Sequence, residues 1–260
     1  MGVDRRKFLT IAGLTTLTAL GKKASSVLPG NEDSSAVFDP MQPVSTEGKR
    51  YALVIDIRKC LKGEGCHDCI DACHLTHNVP DFGNPKDEIK WIWKEHYEEA
   101  FPKQEHPFTD KGLKEAPVLV LCNHCDNPPC VRVCPTQSTW KRDDGVVMMD
   151  MHRCIGCRYC VAACPYGSRS FNWRDPRPFI KDVNAEYPTR TRGVVEKCNL
   201  CAERLAVGKI PACVEACKHG ALFFGDLEDP ESEVRELLGS RYAIRRKPDL
   251  GTSPQVYYLV

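Results

Sequence analysis

The sequence predicts an α+β fold built from four short units, each a strand followed by a cysteine loop. Three observations carry this prediction. First, the sixteen cysteines of the 260-residue chain fall into four groups of four, with none left over. The groups are Cys60/Cys66/Cys69/Cys73, Cys122/Cys125/Cys130/Cys134, Cys154/Cys157/Cys160/Cys164 and Cys198/Cys201/Cys213/Cys217. Second, each group follows a short apolar or β-branched run, at 51–57, 118–121, 146–149 and 194–195, which reads as a strand. Third, Pro135 and Pro165 stand directly behind Cys134 and Cys164 and would stop a single helical turn in each case.

The third group has the spacing C-x2-C-x2-C-x3-C-P, the run that holds [4Fe–4S] clusters in bacterial ferredoxins. Four such groups point to four [4Fe–4S] clusters. Eight disulfides are the poorer explanation. Neighbouring cysteines are so close in sequence that many bridges would span very tight loops, and long apolar stretches separate the groups. Zinc would suit the pairs Cys122/Cys125 and Cys198/Cys201, but a ribbon needs two well-separated pairs per metal. Covalent haem needs C-x-x-C-H, and no pair here is followed by histidine.

A cluster takes three thiolates from a tight loop, and the cysteine after the helical turn serves the neighbouring cluster. The groups must therefore work in pairs. Cys134 and Cys154 are separated by a hairpin turning at Asp143-Asp144-Gly145, so groups two and three form one ferredoxin-like module. Groups one and four then form a second module around it. The predicted architecture is two ferredoxin-like 2[4Fe–4S] modules, one nested in the other, with an insertion and a C-terminal extension.

In chain order, residues 1–30 read as a targeting segment. Arg5-Arg6-Lys7-Phe8-Leu9 supplies twin arginines and 8–20 an apolar stretch, which together resemble a twin-arginine export signal. A general secretory signal or an amphipathic helix is the alternative. This route carries folded protein, so clusters could be inserted before export. Ala19-Leu20-Gly21 is a weak cleavage site, and retention of the segment as a short anchor is the alternative to its removal. The expected location is the periplasmic side of the cytoplasmic membrane. Residues 31–48 read as a linker. Residues 49–80 with 190–226 make the outer module, 81–115 the insertion, 116–189 the inner module and 227–260 the extension. Within the insertion, Trp91, Trp93, Tyr97 and Phe101 read as a packed helix face, or else as a docking surface. Residues 230–238 read as a short amphipathic helix, and the tail 241–260 as a strip that could lie along a partner.

Charge is balanced, with 36 basic and 35 acidic residues, which gives no argument for nucleic acid. Sixteen bound thiolates and four oxidised cluster cores would bring the net charge to about −7, which suits a basic partner surface.

The layout from Tyr51 onward resembles the four-cluster iron–sulfur subunits of periplasmic respiratory complexes, such as polysulfide, dimethyl sulfoxide, tetrathionate and nitrite reductase systems. The resemblance is carried by Cys122-Asn-His-Cys-Asp-Asn-Pro-Pro-Cys130, Cys154-Ile-Gly-Cys-Arg-Tyr-Cys160, Cys164-Pro-Tyr-Gly, Lys197-Cys-Asn-Leu-Cys201 and Pro211-Ala-Cys213. The tail Leu250-Gly-Thr-Ser-Pro-Gln-Val-Tyr-Tyr258 is similar to members that dock on a quinone-reactive membrane subunit of the NrfD type. Ile89-Lys-Trp-Ile-Trp-Lys94 and Ala100-Phe-Pro102 look most like the periplasmic subunit of the sulfite-reductase-associated (Dsr) membrane complex.

The resemblance implies four ligand sets. Cys60, Cys66, Cys69 and Cys217 would form the first, and Cys198, Cys201, Cys213 and Cys73 the second. Cys122, Cys125, Cys130 and Cys164 would form the third, and Cys154, Cys157, Cys160 and Cys134 the fourth. It further implies a chain of clusters in that order, an electron-transfer subunit with no substrate site of its own, and partners of two kinds: an NrfD-type membrane subunit and a redox protein such as a multihaem cytochrome c. An independent soluble ferredoxin-type carrier is the alternative.

One spacing departs from the family. Cys60 and Cys66 are separated by five residues where two are usual. Gly63 and Gly65 would let the loop curl back to complete a [4Fe–4S] site; the alternatives are a [3Fe–4S] centre or His67 as a substitute ligand. His67, His74, His124 and His219 are otherwise expected beside the clusters or on the surface, not as ligands. Arg158, Arg169, Arg174 and Arg177 flank the third group, either offsetting cluster charge or facing water. With every cysteine committed, no nucleophilic constellation or phosphate loop remains.

Overall fold

The computed structural model describes residues 48–104 and 106–260. The expected export signal and residues 31–47 of the expected linker lie outside the described residues. No described helix is long and apolar enough to cross a membrane.

Among the described residues, ten short strands organise the fold: β1 (Tyr51–Asp56), β2 (Ile92–His96), β3 (Pro117–Leu121), β4 (Thr139–Lys141), β5 (Val147–Met149), β6 (Ser170–Phe171), β7 (Val195–Glu196), β8 (Leu222–Asp226), β9 (Ala243–Ile244) and β10 (Val256–Leu259). The main sheet runs β8-β1-β10-β9, and three two-stranded ribbons pair β2 with β3, β4 with β5 and β6 with β7. The mixed α+β class is as expected.

β1 is buried along its whole length. A near-continuous apolar run of this kind suits a strand with neighbours on both sides. Leu53 pairs with Phe224 of antiparallel β8 and with Val256 of parallel β10. The strand stops at Asp56, one residue short of expectation, because its carboxylate accepts from the Lys59 amide at 3.0 Å and caps the helix Ile57–Leu61. The helical turn Tyr159–Ala163 ends at Cys164, and the turn Pro129–Arg132 ends at Val133, one residue before Cys134. The hairpin between β4 and β5 turns at Gly145, whose φ of +84° suits glycine.

One expectation changes. Trp91 and Trp93 do not share a helix face. Trp93 lies in β2, paired antiparallel with β3, and Trp91 directly precedes it. All four aromatics of the segment are buried, so they form core and offer no docking surface. The physical reason is β3, whose apolar edge needs a partner strand. The tail 241–260 packs on this chain through β10. β10 inserts between β1 and β9, with Val256, Tyr258 and Leu259 buried. Before it enters the sheet, the tail meets the loop after Cys122. The Asp126 and Asn127 amides donate to the Ser253 and Thr252 carbonyls, and the Gln255 amide donates to the Asn123 carbonyl at 2.9 Å. The amphipathic helix appears as Glu233–Ser240, with Val234 buried.

Candidate iron–sulfur sites

All sixteen cysteines are free thiols. The fold brings them together from distant parts of the chain. Cys60, Cys66, Cys69 and Cys217 line one small cavity, walled by Leu119 of β3 and Lys94, its partner residue on β2. Cys122, Cys125, Cys130 and Cys164 line a second. Cys73 lies within electrostatic reach of Cys198, Cys201 and Cys213. Cys154 and Cys160 interact in the same way, and Cys134 follows a helical turn that packs on Tyr159–Ala163.

The stretched first loop reaches its cavity. The Gly63 amide donates to the Cys60 carbonyl at 3.2 Å and the Cys66 amide to the Gly63 carbonyl at 3.0 Å. Gly65 takes φ +72°, and a Cβ on Gly63 would meet the His219 ring at 2.4 Å. Gly65 supplies the left-handed turn of this loop, and Gly63 leaves room for the His219 ring. His67 is exposed and does not line this cavity, whereas His219 does.

The donor chemistry fits a positively charged iron core. Burial, then the neighbouring thiols, pushes Cys69 up to about 12, and the same causes push Cys125 to about 12. Burial also drives Cys73 and Cys213 well above the ordinary thiol value. Such crowded, dry thiols ionise together only when a cation compensates them. Cys134 differs. Burial raises it, but the Ser138 and Thr136 hydroxyls at 3.2 and 3.7 Å and nearby amides together outweigh that and bring it to about 7.

The four sets abut in a line. Cys69 of the first lies within electrostatic reach of Cys73 and Cys213 of the second. Cys198 of the second reaches Cys122 of the third, and Cys130 of the third reaches Cys160 of the fourth.

Several polar residues around the sites carry no spacing signature. His77 stands four residues after Cys73, so one helical turn brings its ring to that sulfur, with Nδ1 3.6 Å away. Its Nε2 donates to Glu203 at 2.9 Å, and its ring stacks on Trp91. Burial lowers its pKa, but Cys201 and Glu203 outweigh this and raise it to about 9. Arg190 and Glu196 form a fully buried ion pair at 2.5 Å. The Glu196 carboxylate also accepts from Trp91 Nε1 at 2.9 Å and Asn172 Nδ2 at 2.6 Å. Lys94 Nζ donates to the Cys66 carbonyl at 2.6 Å. His124 is buried and neutral. Burial, then Lys197 and Arg169, lowers its pKa, and its Nδ1 accepts from the Val147 amide at 3.1 Å. It supports β5 and does not point to a metal role. His74 lies at the edge of a surface groove, its pKa lowered by burial.

Comparison with known proteins agrees with this chemistry. The family model described as a 4Fe-4S dicluster domain matches residues 118–177 and 183–227. An Hdr-like menaquinol oxidoreductase iron-sulfur subunit 1 from Archaeoglobus fulgidus is 38% identical, covering 98% of this chain and 97% of its own. A tetrathionate reductase subunit from Salmonella typhimurium is 36% identical over 100% of this chain and 89% of its own. Protein NrfC of Escherichia coli is 36% identical over 98% and 94%. The chain therefore belongs to the 4Fe–4S dicluster iron–sulfur subunits of the dimethyl sulfoxide reductase, NrfC and menaquinol oxidoreductase family, electron-transfer subunits of respiratory oxidoreductase complexes.

Proposed function

We propose that the chain relays electrons through four [4Fe–4S] clusters, held by the first to fourth cysteine sets in that spatial order. The observation that carries this reading is the cavity where Cys217 joins Cys60, Cys66 and Cys69, together with its counterpart where Cys164 joins Cys122, Cys125 and Cys130. In each, three thiols come from one loop and the fourth from another group, as two interlocked pairs require. The pairing of β1 with β8 supports the nested arrangement, since it joins the first and last groups across the intervening chain. Residues of this chain position and ionise the thiols; the iron–sulfur groups supply the one-electron chemistry.

The relay serves a membrane-bound complex of sulfur-compound respiration, of the sulfite-reductase-associated (Dsr) kind. It connects an NrfD-type quinone-reactive subunit with a redox partner such as a multihaem cytochrome c. Two observations support a quinol-linked role: a relative matching nearly the whole chain is a menaquinol oxidoreductase subunit, and the twin arginines at Arg5 and Arg6 suit export to the periplasmic side.

Purification in mild detergent tests the reading. The expected result is a complex with a polytopic subunit and about sixteen iron atoms per copy of this chain. Recovery of the chain alone would favour an independent soluble carrier, and about twelve iron atoms or fewer would break the four-cluster assignment.

A further inference from the structure

Four arginines flank the third cysteine group in sequence, and the fold gives them different tasks. Arg174 and Arg177 pair with Asp87 and Asp175. Arg158 lies over the rings of Phe171 and Trp173. Arg169 alone of the four is buried, at 3% exposure. Its Nη2 donates to Cys130 Sγ at 3.1 Å and to Thr139 Oγ1 at 2.8 Å. It also interacts with Cys160 and Cys122.

A second buried cation sits close by. Lys197 is 1% exposed, and its Nζ donates to the carbonyls of Val147 and Cys198. It lies within electrostatic reach of Cys122, Cys198 and Cys130. Neither cation has a carboxylate partner among the described residues. A buried charge without a partner is costly, so the compensating charge must come from elsewhere. The nearest candidates are the cysteine sulfurs.

We propose that Arg169 and Lys197 are fixed cations that set redox potentials along the relay. Arg169 is shared by the third and fourth sites, Lys197 by the second and third. The third site therefore feels both. When an electron passes from a neighbouring site to this one, the donor site is oxidised by one electron and the third site gains one negative charge. A fixed positive charge stabilises that reduced form more than the oxidised one. The surroundings are dry, so screening is weak. Each cation raises the potential of the two sites it adjoins.

This inference rests on the ligand sets proposed above. The test is potentiometric EPR on the intact complex. Arg169→Gln is expected to lower two of the four potentials, each by about a tenfold change in the reduction equilibrium, or about 59 mV for one electron. Lys197→Gln is expected to lower two, and the double variant three, one of them by the combined amount. Arg169→Lys, which keeps the charge, should largely restore the pattern, and Arg174→Gln on the surface should move nothing. Unmoved potentials in the two Gln variants would overturn the proposal, as would Gln variants that shed iron, since these residues would then hold the sites and not tune them. Fewer than four EPR-active clusters in the unaltered complex would instead break the ligand sets themselves.

Discussion

The third and fourth cysteine sets use the same local device, a cysteine loop closed by one helical turn and a proline, yet lie in opposite surroundings. Cys122, Cys125 and Cys130 are buried. The C-terminal tail covers their loop, and Arg169 and Lys197 stand beside them. Cys157 is exposed, and around its loop Ile155, Tyr159 and Trp173 are 67, 63 and 56% exposed. The local motif sets which thiols converge; the layers packed on it set how dry and how charged the site is. An interior site suits relay. An exposed one suits exchange with another protein, because apolar side chains left in water gain from being covered.

If that contrast is sound, substitutions on the interior side should cost more. The largest effect is expected from Glu196→Ala, which strands buried Arg190 and releases Trp91 and Asn172. Denaturant unfolding should show a loss of about 3–5 kcal/mol. A loss under about 1 kcal/mol would mean that water reaches this region.

The next effect depends on pH. The folded pKa of His77 is raised from 6.5 to about 9. Its interactions with Cys201 and Glu203 therefore contribute fully below about pH 6.5, and the contribution is lost as pH rises through about 9. It amounts to up to about 3 kcal/mol. Stability followed from pH 6 to 9.5 should fall in the native protein, with a flatter profile in His77→Gln.

The fourth loop has one strict point of its own. A Cβ on Gly156 would meet the Gly193 carbonyl oxygen at 2.4 Å, at φ +70°. Gly156→Ala should cost more than about 2 kcal/mol, because backbone must move. Gly167→Ala, at φ +66° with open space around it, should cost about 1 kcal/mol. Equal melting temperatures for the two variants would show that the 193 segment yields freely.

The smallest effect is expected at the exposed face. Tyr159→Ser should change unfolding stability by no more than about 0.5 kcal/mol. If this face receives a partner, the same change should slow reduction of the complex by that partner. A large stability loss would mean that Tyr159 is core, and the contrast between the two loops would fail.

Much of the candidate site is legible in the residue order because it is local. Loop spacing and a proline stop act over a few residues, so the strands before each group and the turns at Pro129–Arg132 and Tyr159–Ala163 follow from them. Gly63 and Gly65 forecast the curl that carries Cys60 to its cavity for the same reason. The aromatic segment is less legible. Its tryptophans are apolar in either a helix or a strand, and pairing with β3 makes the choice. The tail reads as a strip that could lie along a partner because no neighbour in sequence pairs with it; its place in the sheet depends on β1, some two hundred residues earlier.

Four groups of cysteines, their chemistry and their need to interlock are present in the chain as written, since each depends on neighbours in sequence. The meeting of Cys217 with Cys60, the burial of the Arg190–Glu196 pair and the placing of Arg169 and Lys197 beside the third site arise in packing. Desolvation and Coulomb forces depend on distance through space and on excluded water, and neither is set until the layers close.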